Sequence, residues 1–163
     1  MTSGTLILIR HGQTHDNTQN ILTGRRDVDL TETGAAQAHA AGELLKNYKI
    51  DKVYSSPLKR AFNTAALALT AAGQTAVEIE KREEITEMDA GDFTGCAFAF
   101  NAAGLCTIGE TKWGCIHTEK MPGGESDEDV VSRVRDFYTR EVAPRLARGE
   151  TVMVVACGYS ARL

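Results

Sequence analysis

The 163-residue chain is 42% hydrophobic and 25% charged with a net charge of −4, which offers no basic face for nucleic acid and no acidic disordered tail. Its longest apolar run is far below the ~20 residues that cross a bilayer, and the N-terminus has no signal-peptide pattern, so a cytoplasmic protein without membrane partners is expected. Four cysteines, Cys96, Cys106, Cys115 and Cys157, are irregularly spaced with no CxxC pair. Their spacing indicates neither a disulfide framework nor a zinc site, and reduced thiols are expected. The length fits one domain over residues 1–163.

In chain order, Leu6, Ile7, Leu8 and Ile9 read as a strand buried on both faces. Arg10 and His11 follow directly, and Gly12 turns the backbone into a polar run through Asn17. A cation and an imidazole where a buried strand meets a glycine turn sit at the carboxyl edge of a sheet, where open α/β folds bind ligands. Taken alone, the same three residues also read as an ordinary surface loop. Residues 21–28 form a loop turned at Gly24. Thr31 then caps a helix over residues 35–46, whose small residues point to close packing on a sheet. Lys52 to Tyr54 is a second strand. Ser56 reads as an N-cap with Pro57 at the first helical position, and Leu58, Ala61, Phe62, Ala65 and Leu69 form one apolar face. Arg60 lies off that face in the first turn, placed to meet an anion or, on the plainer reading, solvated at the surface.

A third strand is expected at Val77 to Ile79. Residues 85–95 (ITEMDAGDFTG) concentrate Glu87, Asp89 and Asp92 in an irregular stretch, either a solvated loop or an acid delivered to a site. Residues 98–118 have no sustained period and are read as mostly irregular, with at most a short helix. Ser126 and Asp129 match the S-x-x-D capping pattern. Val130, Val131, Val134, Phe137 and Tyr138 carry the stripe of the helix that follows, which Pro144 should kink or end. Thr151 to Ala156 is the last strand, and Cys157-Gly158-Tyr159-Ser160 leads into an expected helix. This alternation predicts an α/β fold class: three-layer α/β/α, with a mostly parallel central sheet and helices on both faces.

The chemistry-bearing residues fall at strand ends: His11 with Arg10, then Arg60, the Glu87 loop and Cys157-Gly158. Arginines converging on one histidine raise the cost of folding unless an anion neutralises them, so a doubly charged oxyanion such as phosphate is the expected ligand. A histidine there can act as nucleophile through one ring nitrogen while a backbone carbonyl holds its other N–H. The arginines would stabilise charge on the equatorial oxygens, and Glu87 is the candidate acid for the leaving oxygen. This chemistry calls for no metal and no organic cofactor, and its partner is a small phosphorylated substrate.

At this point LIRHGQTHDN resembles the signature of the histidine phosphatase superfamily, the phosphoglycerate mutase-like proteins. TGRRDVDLTETG looks like that family's loop and first helix, and VYSSPLKRAFNTA like its second arginine motif. ITEMDAGDFTG is similar to its acid loop, PGGES to the opening of a helix, and VVACGYSARL to its last motif. The resemblance implies a phosphohistidine on His11 and proton donation by Glu87. It implies phosphate binding by Arg10, Asn17, Thr23, Gly24 and Arg60, with the Cys157-Gly158 turn completing the pocket.

The chain departs from the family pattern in three places. Cys157 stands where the family has a second histidine before a glycine; a neutral thiol is a weak donor and a thiolate would repel phosphate. Losing one such donor costs on the order of 10²–10³ in rate, about 3–4 kcal/mol. The cysteine also reads as a small buried hydrophobe, with no second cysteine or histidine spaced to partner it. The C-terminal part is short relative to the family, so either the chain is shortened or a neighbouring copy in a homodimer covers the sheet edge. The segment between Gly95 and Pro122 lacks the adjacent arginines of true mutases, which favours a phosphatase. Two readings result: a phosphomonoester phosphatase or mutase-like phosphotransferase working through His11, or a phosphate-ester-binding protein of the same fold whose chemistry has decayed at Cys157.

Overall fold

The computed structural model describes residues 3–100, 106–108, 111–113 and 120–162. In chain order the elements are β1 (Thr5–Arg10), α1 (His15–Thr18), α2 (Glu32–Leu44), β2 (Lys52–Ser55), α3 (Lys59–Ala71), β3 (Ile79–Lys81), β4 (Phe98–Phe100), β5 (Cys106–Ile108), β6 (Thr111–Trp113), α4 (Asp127–Phe137), α5 (Ala143–Ala147) and β7 (Thr151–Ala156). Strands β1, β7, β2 and β3 lie side by side in that order, all parallel, and β4, β5 and β6 form a small antiparallel sheet.

Strand β7 is the spine. Val152, Val154 and Ala156 join Tyr54, Ile85, Phe137 and Val142 on one face, while Met153, Val155 and Cys157 join Val53, Ala61, Ala65 and Leu69 on the other. Period-two alternation thus feeds two cores from one strand, with α2 and α3 covering one face and α4 and α5 the other. The three-layer α/β/α arrangement follows.

Several expectations are corrected. The strand read as buried on both faces is β1, but Leu6 and Leu8 are 41% and 51% exposed. Among the described residues β1 is an edge strand, covered only on the side of Ile7 and Ile9. The small residues of α2 pack mainly on α3 rather than on the sheet: a Cβ at Gly42 would collide with the Ala68 carbonyl oxygen. The N-cap of α3 is Leu58, with no side-chain cap. Ser56 Oγ is diverted to Thr86 Oγ1 at 3.1 Å and meets the Leu58 N–H only at 3.4 Å. The third strand sits later than Val77, because Val53 takes Ile79 as its register partner. The stretch read as irregular contains β4, β5 and β6, the rest of residues 101–119 lying outside the described residues.

The break expected at Pro144 appears one turn earlier. Tyr138–Val142 is a π-helical turn, and Pro144 stands in the first turn of α5, where its missing N–H costs nothing. After Gly158 the described residues form turns where a helix is expected: Ala161 N–H bonds the Cys157 carbonyl and Arg162 N–H the Tyr159 carbonyl. The capping readings at Thr31 and Ser126 are both realised, the latter as a reciprocal capping box with Asp129.

The α2–α3 contact leads to a stability test. Gly42→Ala should lower the free energy of unfolding in urea by about 1–3 kcal/mol through overpacking, although alanine is the better helix former by ~1 kcal/mol; an unchanged midpoint would contradict the close approach.

Candidate active site

The site begins where β1 pairs with β7. Arg10 is in register with Ala156, and the His11 N–H extends the ladder to the Ala156 carbonyl at 3.1 Å. His11 Nδ1 lies 2.7 Å from the Gly12 carbonyl oxygen. A carbonyl only accepts, so Nδ1 carries the proton and Nε2 keeps the lone pair. The Gly12 N–H donates to Thr64 Oγ1 at 3.0 Å, and that hydroxyl donates to the Arg60 carbonyl at 2.7 Å. Gly12 and Gly34 touch backbone to backbone, leaving no room for a Cβ. His11 is buried, and burial, with Arg60 and Arg10 adding repulsion, pushes its pKa down to about 4 against the lift of the Gly12 bond. The ring is therefore neutral at neutral pH and able to attack.

Arg60 is the largest fully buried side chain among the described residues, which overturns its reading as a solvated surface arginine. It donates to the Arg26 carbonyl at 2.7 Å and the Gly24 carbonyl at 2.9 Å, while its buried Nε has no hydrogen-bond partner among the described residues. The helix presents a cation that holds the Thr23–Gly24 turn and keeps a donor unspent. Arg10 lies over Gly158, where a Cβ would stand 3.1 Å from its Nε. Asn17 Oδ1 accepts from the Thr14 N–H at 3.0 Å in the capping box of α1.

The acid comes from the loop before β4. Glu87 Oε1 accepts from the Met88 N–H at 3.0 Å and the Tyr159 N–H at 3.1 Å, and Oε2 accepts from Tyr159 at 3.3 Å. Arg133 of α4 braces this loop. It donates to the carbonyls of Glu84, Thr86 and Glu87 and grips both Glu125 oxygens at 3.0 Å. Despite burial, Arg133 and the Asp89 N–H hold the Glu125 carboxyl below the usual carboxylate range. Cys157 is fully buried, its Sγ 3.9 Å from Ser56 Oγ. Burial pushes the thiol up to about 11 against the pull of Arg60, so it is neutral at neutral pH.

One cleft is lined by Arg10, His11, Asn17, Thr23, Gly24, Arg60, Glu87 and Gly158 together. Cys157 lies just behind, with donor atoms of His11, Glu87 and Cys157 all within 4.8 Å of one another. The residues that the resemblance assigns to the site are thus brought together, whereas Asp89 and Asp92, from the same acidic stretch as Glu87, do not line the cleft. Sequence reasoning missed Tyr159 and Arg162, which also line the cleft. Burial and the Asp127 carboxylate raise the pKa of the Tyr159 hydroxyl. It also missed the Arg133–Glu125 pair, since nothing in residue type or spacing marks a bond that only the tertiary fold creates.

The sequence profile described as histidine phosphatase superfamily (branch 1) matches residues 6–163. The chain belongs to the histidine phosphatase superfamily. It is 39% identical over 98% of its length to a 2,3-bisphosphoglycerate-dependent phosphoglycerate mutase of Allorhizobium ampelinum, covering 77% of that protein. Against the enzyme of the same name from a Methylobacterium species it is 42% identical, covering 96% of this chain and 76% of the other. Among solved structures, a phosphoglycerate mutase from Bacillus anthracis superposes with a TM-score of 0.78 at 25% identity, covering 98% of this chain and 78% of that one. A mycobacterial glucosyl-3-phosphoglycerate phosphatase complexed with VO3 superposes at 0.74 with 29% identity, covering 95% and 76%. Mutases and phosphatases of the superfamily therefore both stand near this chain.

The depressed His11 pKa fixes the sign of one pH effect. Between about 4 and 6.5 the unfolded chain binds the extra proton and the folded chain does not, so stability rises with pH across that window and is lost as pH falls through it. Urea unfolding should show wild type losing up to about 3 kcal/mol more than His11→Ala between the two ends of the window; parallel curves would contradict a neutral, buried imidazole. Arg133→Met should cost about 1–3 kcal/mol, because it frees three loop carbonyls and leaves the half-buried Glu125 carboxylate with only Arg25 and the Asp89 N–H as partners. Thermal unfolding checks that loss, and an unshifted transition would deny the brace.

Proposed function

We propose that this chain acts, as a single domain, on small phosphomonoesters by transferring the phosphoryl group to His11. The observation that carries this reading is the imidazole itself, neutral and tautomerically fixed by Gly12, sharing one cleft with Arg10, Arg60 and Glu87. Nε2 attacks phosphorus as the bond to the leaving oxygen breaks, and Glu87 gives that oxygen its proton. Arg10, the unspent Nε of Arg60 and the amide of Asn17 take the charge on the equatorial oxygens, and the Thr23-Gly24 turn shapes the floor. Water, deprotonated by Glu87, then attacks phosphohistidine and releases phosphate; a second alcohol in place of water would make the protein a phosphotransferase. Phosphoglycerate esters are the first substrates to try, because the names of the mutase relatives and of the mycobacterial phosphatase share that moiety.

A second reading rests on Cys157. A buried neutral thiol offers the transferring group little of what an imidazolium would, so the protein would bind phosphate esters and turn them over slowly.

Two measurements decide between them. Hydrolysis of 3-phosphoglycerate and of a generic aryl phosphate by wild type should exceed that by His11→Ala by on the order of 10³-fold or more; equal rates would leave only the binding reading. Cys157→His should raise the wild-type rate by about 10²-fold, and an unchanged rate in a folded variant would remove position 157 from the chemistry.

A further inference from the structure

We propose that His11, Glu87 and Cys157 form a binding site for a thiophilic divalent cation of the zinc class. From spacing alone the cysteine had no partner; the pairing of β1 with β7 supplies one, and the loop before β4 supplies a second. Each side chain offers one donor atom, and the three atoms lie within 4.8 Å of one another. Imidazole, carboxylate and thiolate are the donors zinc takes when the protein fills three positions and leaves the fourth open. Tetrahedral coordination at zinc bond lengths puts donors roughly 3.3–3.7 Å apart, so small side-chain rotations close the set.

The surroundings fit that role. The Gly12 carbonyl holds Nδ1–H and leaves Nε2 as the ligating nitrogen, the arrangement that orients most metal-binding histidines. Backbone N–H groups of Met88 and Tyr159 fix the Glu87 carboxylate and still leave lone pairs on both oxygens. Cys157 is buried directly after β7, so its sulfur is carried on a strand paired on both sides. Arg10 and Arg60 oppose a bare cation, but thiolate and carboxylate cancel the two charges of the ion. Binding forms one bond each to sulfur, nitrogen and oxygen, sends the thiol proton to solvent and changes no oxidation state. The fourth position opens on the cleft, where water or an anion oxygen completes the shell.

Such an ion takes the Nε2 lone pair that phosphoryl transfer needs, so it would act as an inhibitor competitive with phosphate esters. This consequence rests on the phosphohistidine reading; the metal site does not.

The test is to titrate metal-free protein with Zn2+ and, as a spectroscopic probe, Co2+. One ion per chain is expected, with Co2+ giving tetrahedral visible bands and a thiolate-to-cobalt charge-transfer absorption in the near ultraviolet. Cys157→Ala should abolish the charge-transfer absorption, and both it and Glu87→Gln should weaken Zn2+ binding by on the order of 10²-fold or more. Binding without that absorption in wild type, no stoichiometric binding, or unchanged Zn2+ affinity in Cys157→Ala would each overturn the proposal. The wild-type cobalt spectrum needs no variant to fold. If it appears while metal-free wild type hydrolyses no phosphomonoester, the enzymatic reading fails and the metal site stands.

Discussion

Everything in this molecule that bears on chemistry depends on one parallel ladder, the pairing of β1 with β7. It joins the two ends of the chain in a single register, Thr5 opposite Thr151 through Arg10 opposite Ala156, and its last bond is donated by the His11 amide itself. A slip of one residue would turn Ile7 and Ile9 out of the core and His11 away from Gly158. The register is held because β7 is buried on both faces and has no spare polar side to offer. The scaffold and the site are thus specified by the same set of branched side chains.

Much of this was legible in the residues. His11, Arg10, Arg60 and Glu87 were chosen by type and by position at strand ends, and the fold brings them into one cleft because parallel sheets deliver all their strand ends to the same edge. The features that stayed hidden share a cause. Leu6 and Leu8 look like core residues, but whether an apolar strand is central or at an edge depends on its neighbours, not its own sequence. Ser56 has the chemistry of an N-cap yet spends its hydroxyl on Thr86, a competitor thirty residues away. Strands β4 to β6 are three residues each, too short for a period to register. Arg133 and Glu125 are ordinary charges in the sequence and a bidentate, loop-holding pair only in the fold.

Arg60 shows how a charge can be buried before any ligand arrives. Two backbone carbonyls of the Gly24–Arg26 turn accept from its guanidinium, and in doing so shape the turn that closes one side of the cleft. The same cation lowers the affinity of His11 for a proton and pulls against burial at Cys157. A cysteine is accommodated at 157 because the position packs with Met153, Val155 and other core residues while its sulfur lies close behind His11 and Glu87. Packing there requires only a small, mostly apolar side chain; chemistry asks for more.

The two walls of the cleft are built from different material. On the His11 side, Gly12 meets Gly34 main chain to main chain, and α2 meets α3 the same way at Gly42. On the Glu87 side, the loop is stitched down by one arginine and by the N–H groups of Met88 and Tyr159. Backbone locked on backbone has almost no conformational freedom left to lose, whereas long side chains retain rotamers. A side chain added at Gly12 or Gly34 would therefore find no rotamer to push aside and would have to move main chain, whereas a change on the acid wall can be met by a new rotamer of Arg133.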